Sequence, residues 1–220
     1  MSVLQPVVPI LPLPSVVLFP HALLDLRVAG EQLDGAAGEW LAEGAVWGVA
    51  TVRADLKSAP LGGLTAPIFR TMGIGCIIHR ENDNGRLRRL VLEGLVRGRV
   101  LDDCELSLPP AVQVEILRDH VNVEGARRKE LAQAFREMVH SARRVAALES
   151  DLRDPIRRVL AGHPHPGVVA DLLSHYCVKD TYAKQSILAE VDVCRRVRLV
   201  QVQLARMATC HSLRPLRHFR

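Results

Sequence analysis

The chain has 220 residues, 48% hydrophobic and 24% charged, a composition typical of a folded globular protein and not of a disordered chain. Its net charge is +5, but the charge is unevenly distributed. Residues 1–120 carry 11 Lys and Arg against 14 Asp and Glu, whereas residues 121–220 carry 18 against 10, which indicates a chain of two parts. Five widely spaced cysteines without a Cys-x-x-Cys pair argue against a zinc site or a disulfide framework, and prolines interrupt the apolar N-terminus, so we expect a cytoplasmic protein without a membrane segment.

The first half has the pattern of short strands. Val7 to Leu13 alternates prolines with aliphatic residues, which predicts an edge strand or an extended entry segment. Leu24 to Val28 alternates with period two, and Val46 to Val52 is apolar at nearly every position, so both are predicted strands. A short helix is predicted from Glu31 to Glu43 and a last strand from Ala111 to Leu117.

Asn84-Gly85 is a strong local signal, because both central residues of a two-residue hairpin turn need positive φ. It predicts a hairpin between Ile74 to Arg80 and Leu87 to Leu92, with a bend or bulge at Glu93-Gly94. With six or seven strands and one small helix, residues 1–120 are predicted to form an α+β or barrel-like domain of mostly antiparallel strands.

After residue 120 the hydrophobic period becomes helical. A long helix is predicted from near Val123, with an apolar stripe at Leu131, Phe135, Met138, Ala142 and Val145. A shorter helix is predicted with Asp154 as its N-cap and Pro155 in its first turn, running through Leu160 and stopped by Gly162.

Two further helix starts are marked by capping residues. Asp180 or Thr181 is predicted to cap one helix and Asp192 the last one. Residues 121–211 are therefore predicted to form a helical bundle, and residues 212–220 a basic tail that frays.

Motifs along nearly the whole chain carry a family resemblance. They are Pro12 to Pro20, Gly73-Ile74-Gly75 before the Asn84-Gly85 hairpin, Leu92 to Val100, Ala170 to Leu173, Lys184 to Leu188, and Asp192 to Val197. In this order and spacing they resemble the N-terminal substrate-binding domain of ATP-dependent Lon protease, the LON domain. The resemblance implies a PUA-like β pseudobarrel followed by a helical bundle.

The same resemblance implies no enzymatic activity for these residues. The sequence has no Gly-x-x-x-x-Gly-Lys-Ser/Thr phosphate loop and ends at Arg220 without a module for the serine–lysine dyad of the family, so we expect a free-standing bacterial LON-domain protein without ATPase or protease parts.

Other chemistry is weakly indicated. His163 and His165 have no clustered third metal ligand, and Cys76 and His79, three apart on one strand, are predicted to face opposite sides. No catalytic residue, metal ligand or cofactor is predicted.

Protein recognition is the leading hypothesis. The expected partner is unfolded polypeptide or a protein partner, such as a proteolytic machine, and the candidate contacts, for each of which core burial is the alternative, are Phe19, Pro20, Leu61, Leu64, Ile68 and Phe69. RNA binding by a PUA-like protein is the alternative, through a basic face of Arg86, Arg88, Arg97 and Arg99 and the helix faces. Arg97 could equally tie the bend to the sheet.

Overall fold

The structure is a computed structural model that describes residues 5–29, 41–53, 68–83, 87–101, 110–121, 124–163 and 165–212. The chain divides into two compact units, Met1–Arg118 and Asp119–Arg220. The predicted helix at residues 31–43 lies largely outside the described residues, as does the Asn84-Gly85 turn.

The first unit contains one mixed sheet. Its strands are β1 (Val7–Pro14), β2 (Leu23–Ala29), β3 (Val46–Val52), β4 (Thr71–Asp83), β5 (Leu87–Val100) and β6 (Ala111–Leu117). Their order is β2-β5-β4-β3-β1-β6, and every pairing except the parallel β1–β3 is antiparallel. The first residues of β6 pair with β1 and its last four with β5, so the sheet curls round without a full-length ladder to close it into a barrel.

The predicted fold class is confirmed: mostly antiparallel strands come first and helices follow. Two apolar clusters fill the first unit. One contains Leu11, Leu18, Trp47, Ile77 and Leu92, and the other contains Ile10, Met72, Ile74, Val112 and Val114.

The prediction that β1 is an edge strand is wrong, because β1 pairs with β6 at its start and with β3 from Ile10 onwards. The Ile10 N–H donates to the Pro110 carbonyl at 2.7 Å, so even-numbered residues of β1 point their N–H side toward β6. Pro12 and Pro14 therefore lie beyond the end of the β6 pairing, and Pro9 lies before the β3 pairing begins. The prolines are tolerated because each faces a side on which no described residue pairs with it.

The predicted β4–β5 hairpin and its bulge are confirmed. The ladder skips Leu95 on β5, directly after Gly94, which makes Leu95 the extra residue of a β-bulge. A second irregularity, which the sequence did not predict, skips Ile78 on β4. Both extra side chains are exposed.

Residues 15–22, the crossing segment, connect β1 to β2 across the sheet. In the strand order β3, β4 and β5 lie between β1 and β2, so the connection spans four strand spacings, about 19 Å. Eight residues reach at most about 27 Å when fully extended, which is enough for this span, and the Ala22 N–H donates to the Phe19 carbonyl at 3.2 Å in a turn before β2. Leu18 and Phe19 at its centre are fully buried.

Glycines on the hairpin make room for the crossing segment. A Cβ added to Gly73 would lie 1.9 Å from the carbonyl oxygen of Leu18, and one added to Gly94 would lie 2.0 Å from that of Phe19. Both distances are far below van der Waals contact, so the two backbones can meet only where the hairpin has no side chain.

Hydrogen bonds hold the crossing segment in place. The His21 N–H donates to the Gly94 carbonyl at 2.7 Å, and the Gly94 N–H donates to the Ala22 carbonyl at 2.9 Å. The buried Thr51 hydroxyl donates to the carbonyl of residue 16. Ser15 and His21, at φ 60° and 64°, turn the chain onto and off the sheet.

The second unit contains five helices among its described residues: α1 (Gly125–Leu148), α2 (Ser150–Gly162), α3 (Pro166–Cys177), α4 (Thr181–Ala189) and α5 (Val193–Ser212). None of the described helices is both long and apolar enough to cross a membrane. The predicted caps are confirmed, because Asp180 accepts from the Ala183 N–H at 2.7 Å and Asp192 from the Arg195 N–H at 3.0 Å.

The predicted start of α2 is wrong. The helix begins at Ser150, with one residue between it and the end of α1, and Pro155 lies inside it instead of in its first turn. The Glu149 N–H still donates to the Val145 carbonyl, so α1 runs almost directly into α2. Pro155 removes one interior hydrogen bond, and the burial of Ile156 and Val159 beside it offsets that loss.

Arg196 of α5 is the largest fully buried side chain in the second unit. Its guanidinium pairs with the Asp119 carboxylate, lies 3.2 Å from the Asp171 carboxylate and donates to the Glu190 carbonyl at 2.8 Å. A Cβ on Gly167 would lie 2.8 Å from Nη2, so the start of α3 also needs a glycine. The arginine ties α3, α5 and the residues before α1 together through charge-assisted contacts.

We predict that Gly94→Ala lowers the free energy of unfolding by about 2–4 kcal/mol, because the new methyl overlaps the Phe19 carbonyl. Urea unfolding followed by circular dichroism measures the change. Gly162→Ala is the control, since a Cβ there has nothing within 4 Å, and it should leave stability unchanged or raise it. Equal small effects of both substitutions would contradict the steric account.

Candidate functional site

The six candidate peptide contacts are in different environments. Phe19 and Pro20 belong to the crossing segment, and both are buried, so neither is accessible to a partner. Leu61 and Leu64 lie outside the described residues. The structure therefore describes two candidates with accessible surface, Ile68 and Phe69.

Ile68 and Phe69 extend the sheet beside the end of β3. Ile68 forms an isolated antiparallel bridge with Val52, and the Phe69 N–H donates to the Thr51 carbonyl at 3.1 Å. The Arg53 guanidinium lies 5.8 Å from the centre of the Phe69 ring. Both candidates are half-buried, so they combine a fixed backbone with partly exposed apolar surface.

Of the proposed basic face, the structure describes the side chains of Arg97 and Arg99, and these two do not form one exposed surface. Arg97 is 4% exposed, and Arg99 is exposed but lies 3.3 Å from the Glu115 carboxylate. Arg86 and the side chain of Arg88 lie outside the described part of the chain. Arg97 and Arg99 are two residues apart on β5, but the fold buries Arg97. Arg99 alone of these two arginines is therefore accessible to RNA.

A neighbouring arginine is likewise occupied by carboxylates. Arg89 on β5 makes a bidentate contact with Asp25 on β2, at 3.0 Å from Nε and 2.8 Å from Nη2, and lies 3.3 Å from Glu81. The Arg89 hydrogen bonds lower the pKa of Asp25, and the same contacts raise the pKa of Arg89. This cross-strand pairing fixes β2 on β5 and leaves little free positive charge there.

The β2 strand lies at the end of the sheet order. It pairs with β5 over seven residues, and no described strand pairs with its other side. Leu24 and Leu26 pack against the core cluster that contains Leu90 and Leu92, but they remain half-buried. At the start of β2, Leu23 is 54% exposed. An added strand would find backbone hydrogen-bonding groups and two incompletely covered leucines.

The sequence predicted β2 as a half-buried strand but gave no sign that it forms an edge. Strand order depends on pairings between distant segments, which alternation within one strand does not report. The alternation did predict that Leu24 and Leu26 share one face of β2. This shared face is the part of the site that the sequence indicates.

Titratable groups with shifted pKa values cluster at α3 and α4. Burial lowers the pKa of His175 to about 4, lowers that of Lys184 and raises that of the Cys177 thiol to about 12. Each change favours the neutral form, and a thiol with so high a pKa is a poor nucleophile. The Lys184 ammonium donates to the His175 carbonyl at 3.2 Å, which is a packing role.

One sequence expectation about chemistry is wrong. Cys76 lies opposite Glu93, and His79 lies opposite Val91. Glu93 and Val91 are on the same face of β5, so Cys76 and His79 are on the same face of β4. The cause is the bulge at Ile78, which shifts the alternation by one residue. The His79 Nδ1 atom lies 3.9 Å from Glu43, and no three His, Cys, Asp or Glu side chains in the described ranges could share a metal ion.

Comparison with known proteins identifies the family. The family described as the ATP-dependent protease La (LON) substrate-binding domain matches residues 7–206. Lon protease of Anaeromyxobacter dehalogenans is 26% identical over 194 residues and Lon protease 2 of Myxococcus xanthus 28% over 198, each alignment covering 88% of this chain. The chain spans 22% and 23% of the length of these two relatives.

Two solved structures share the fold. The N-terminal domain of Mycobacterium avium complex Lon protease superposes with a TM-score of 0.65 at 16% identity, covering 91% of this chain and 98% of that one. A Lon N-terminal domain protein from Xanthomonas campestris superposes with a TM-score of 0.58 at 18% identity, covering 90% and 98%. Both matches extend over the strands and the helices of this chain.

We predict that acid destabilises the second unit through His175. The buried imidazole has a pKa of about 4 in the folded chain against 6.5 when unfolded, and its Nδ1 has no hydrogen-bond partner among the described residues. Below pH 6.5 the unfolded chain binds a proton that the folded chain does not, so stability falls, by up to about 3 kcal/mol, as the pH drops from 6.5 to 4.

Thermal unfolding of the native chain and of His175→Gln at pH 7 and pH 5 measures this dependence. The variant should lose much of the difference between the two pH values, whereas His140→Gln, at an exposed position of α1, should keep it. An unchanged difference in His175→Gln would contradict the assignment.

Proposed function

We propose that this chain, which belongs to the LON substrate-binding domain family, is a polypeptide-binding domain that catalyses no reaction itself. The observation that carries the proposal is the side of β2 with which no described strand pairs, beside the half-buried Leu24 and Leu26. An extended protein segment can add to such an edge by main-chain hydrogen bonds, which accept many sequences, while its alternate side chains cover the leucines.

The charges on β2 suit this role. Asp25 is engaged by Arg89 and Arg27 is exposed, so the strand carries the kind of charged side chains that prevent sheets from pairing edge to edge. A short extended peptide can still pair, because it needs only the backbone of β2 and the leucine face. Weak and sequence-tolerant binding is the expected behaviour.

Ile68 and Phe69 are a second proposed contact for polypeptide. They lie beside the end of β3, which the strand order separates from β2 by β4 and β5, so one extended segment need not touch both. The expected partner is unfolded polypeptide or another protein. Because the relatives are Lon proteases several times longer than this chain, we also propose a connection with proteolysis.

The RNA alternative has less support. Arg97 is buried, and Arg89 and Arg99 lie against carboxylates. Nucleic acid is bound by accessible cations and stacked aromatic rings, and aromatic residues are 4% of this sequence. The proposal therefore favours protein over nucleic acid as the ligand of the first unit.

We predict that a photo-crosslinking residue, benzoylphenylalanine, placed at Leu23 captures reduced, carboxymethylated α-lactalbumin, an unfolded chain. Leu23 starts β2 and is 54% exposed, so the substitution leaves the core intact. Val7→benzoylphenylalanine is the matched control, because Val7 is an aliphatic strand residue that is 68% exposed and lies on β1. The yield of crosslinked product, measured by gel and mass spectrometry, should be several-fold higher at Leu23.

Salt provides the second readout. Peptide binding to the β2 edge should change little between low and moderate salt, whereas RNA binding falls steeply. Equal crosslinking at both positions would overturn the proposed site. No binding of the unfolded chain at any salt concentration would overturn the proposed function.

A further inference from the structure

A groove lies between α1 and α2 of the second unit. Its volume is about 500 Å³, and its lining is mostly apolar, with Ala147 of α1 and Ile156 and Leu160 of α2 among its walls. The lining residues recur at intervals of three and four along both helices, so each helix presents one continuous stripe to the groove. A volume of this size accommodates several aliphatic side chains.

The rim of the groove is positively charged. Arg143 on α1 and Arg153 and Arg157 on α2 are exposed and line the groove, and no carboxylate of the described residues lines it. The two acids of α2, Asp151 and Asp154, are not among its lining residues. The Arg153 Nε reaches back to the Ala146 carbonyl at 3.4 Å, which holds one of the three guanidiniums over the groove.

We propose that this groove docks an amphipathic helix of a protein partner, with aliphatic residues on one face and carboxylates on its flanks. Both walls of the groove are helices, whose ridges of side chains accept the ridges of a third helix, and alanines on the walls allow a close approach. The apolar lining takes the aliphatic face, and the arginines form bidentate pairs with the flanking Glu or Asp side chains.

The chemistry of the groove favours protein over RNA. Arginines could contact phosphates, but among the described residues no aromatic side chain lines the groove for a base to stack on, and an apolar floor gains nothing from a sugar–phosphate backbone. The inference does not rest on the proposed function, because the groove belongs to the second unit and the β2 edge to the first.

The test uses the full chain and a fluorescent helical peptide of about 16 residues, with Leu and Ala on one face and Glu on both flanks. Two matched double variants distinguish the groove from general electrostatics. Arg143→Glu with Arg157→Glu reverses two rim charges, whereas Arg144→Glu with Arg158→Glu reverses the adjacent exposed arginines, which do not line the groove. Both variants change the net charge equally.

Fluorescence anisotropy should show binding to the native chain, a loss of about tenfold or more in the rim variant and a change within about twofold in the adjacent variant. A peptide with Ser on its apolar face should bind much more weakly. Equal loss in both variants, equal binding of the Ser peptide, or no binding to the native chain would overturn the proposal. The proposal would also be overturned if single-stranded RNA bound to the native chain and lost affinity in the rim variant, while the Glu peptide did not bind.

Discussion

The contact between the crossing segment and the glycines of the β4–β5 hairpin is the constraint on which the first unit depends. Because β1 and β2 lie on opposite sides of three strands, the chain must cross the sheet between them within eight residues. The centre of the crossing segment is buried, so its polar backbone groups need partners, and the N–H and the carbonyl of Gly94 bond to Ala22 and His21. The glycines at 73 and 94 permit the approach, and the order of strands in the sheet requires it.

This contact explains why the sequence motifs of the family indicate a fold and not a ligand. The proline-rich entry motif contains residues 15–20 of the crossing segment, and the two hairpin motifs contain the glycines that receive it. In the second unit, the motif that begins with Asp192 supplies the buried Arg196, whose partner Asp171 lies in another motif. These residues recognise each other inside the molecule. The two surfaces proposed to bind other molecules, the β2 edge and the α1–α2 groove, lie outside the motifs.

Features set by local chemistry could be predicted from the sequence, and features set by distant pairing could not. The hairpin, the bulge after Glu93 and the caps at Asp180 and Asp192 follow from turn and capping residues within a few positions. The interior place of β1, the bulge at Ile78 and the start of α2 depend on contacts with distant segments. The candidate contacts show the same difference between local and distant causes. The sequence shows that Phe19 is apolar but not whether a partner or the protein itself covers it, and in the fold it is fully buried.

Native-state hydrogen exchange of the His21 and Gly94 amides tests the central constraint most directly. Both amides donate across the contact between the crossing segment and β5. If the crossing segment is integral to the first unit, these amides exchange only when the whole sheet unfolds, as slowly as the interior amides of β4 and β5. Fast exchange of His21 and Gly94 while the β4 and β5 amides remain protected would show that the segment detaches on its own, and would contradict the account.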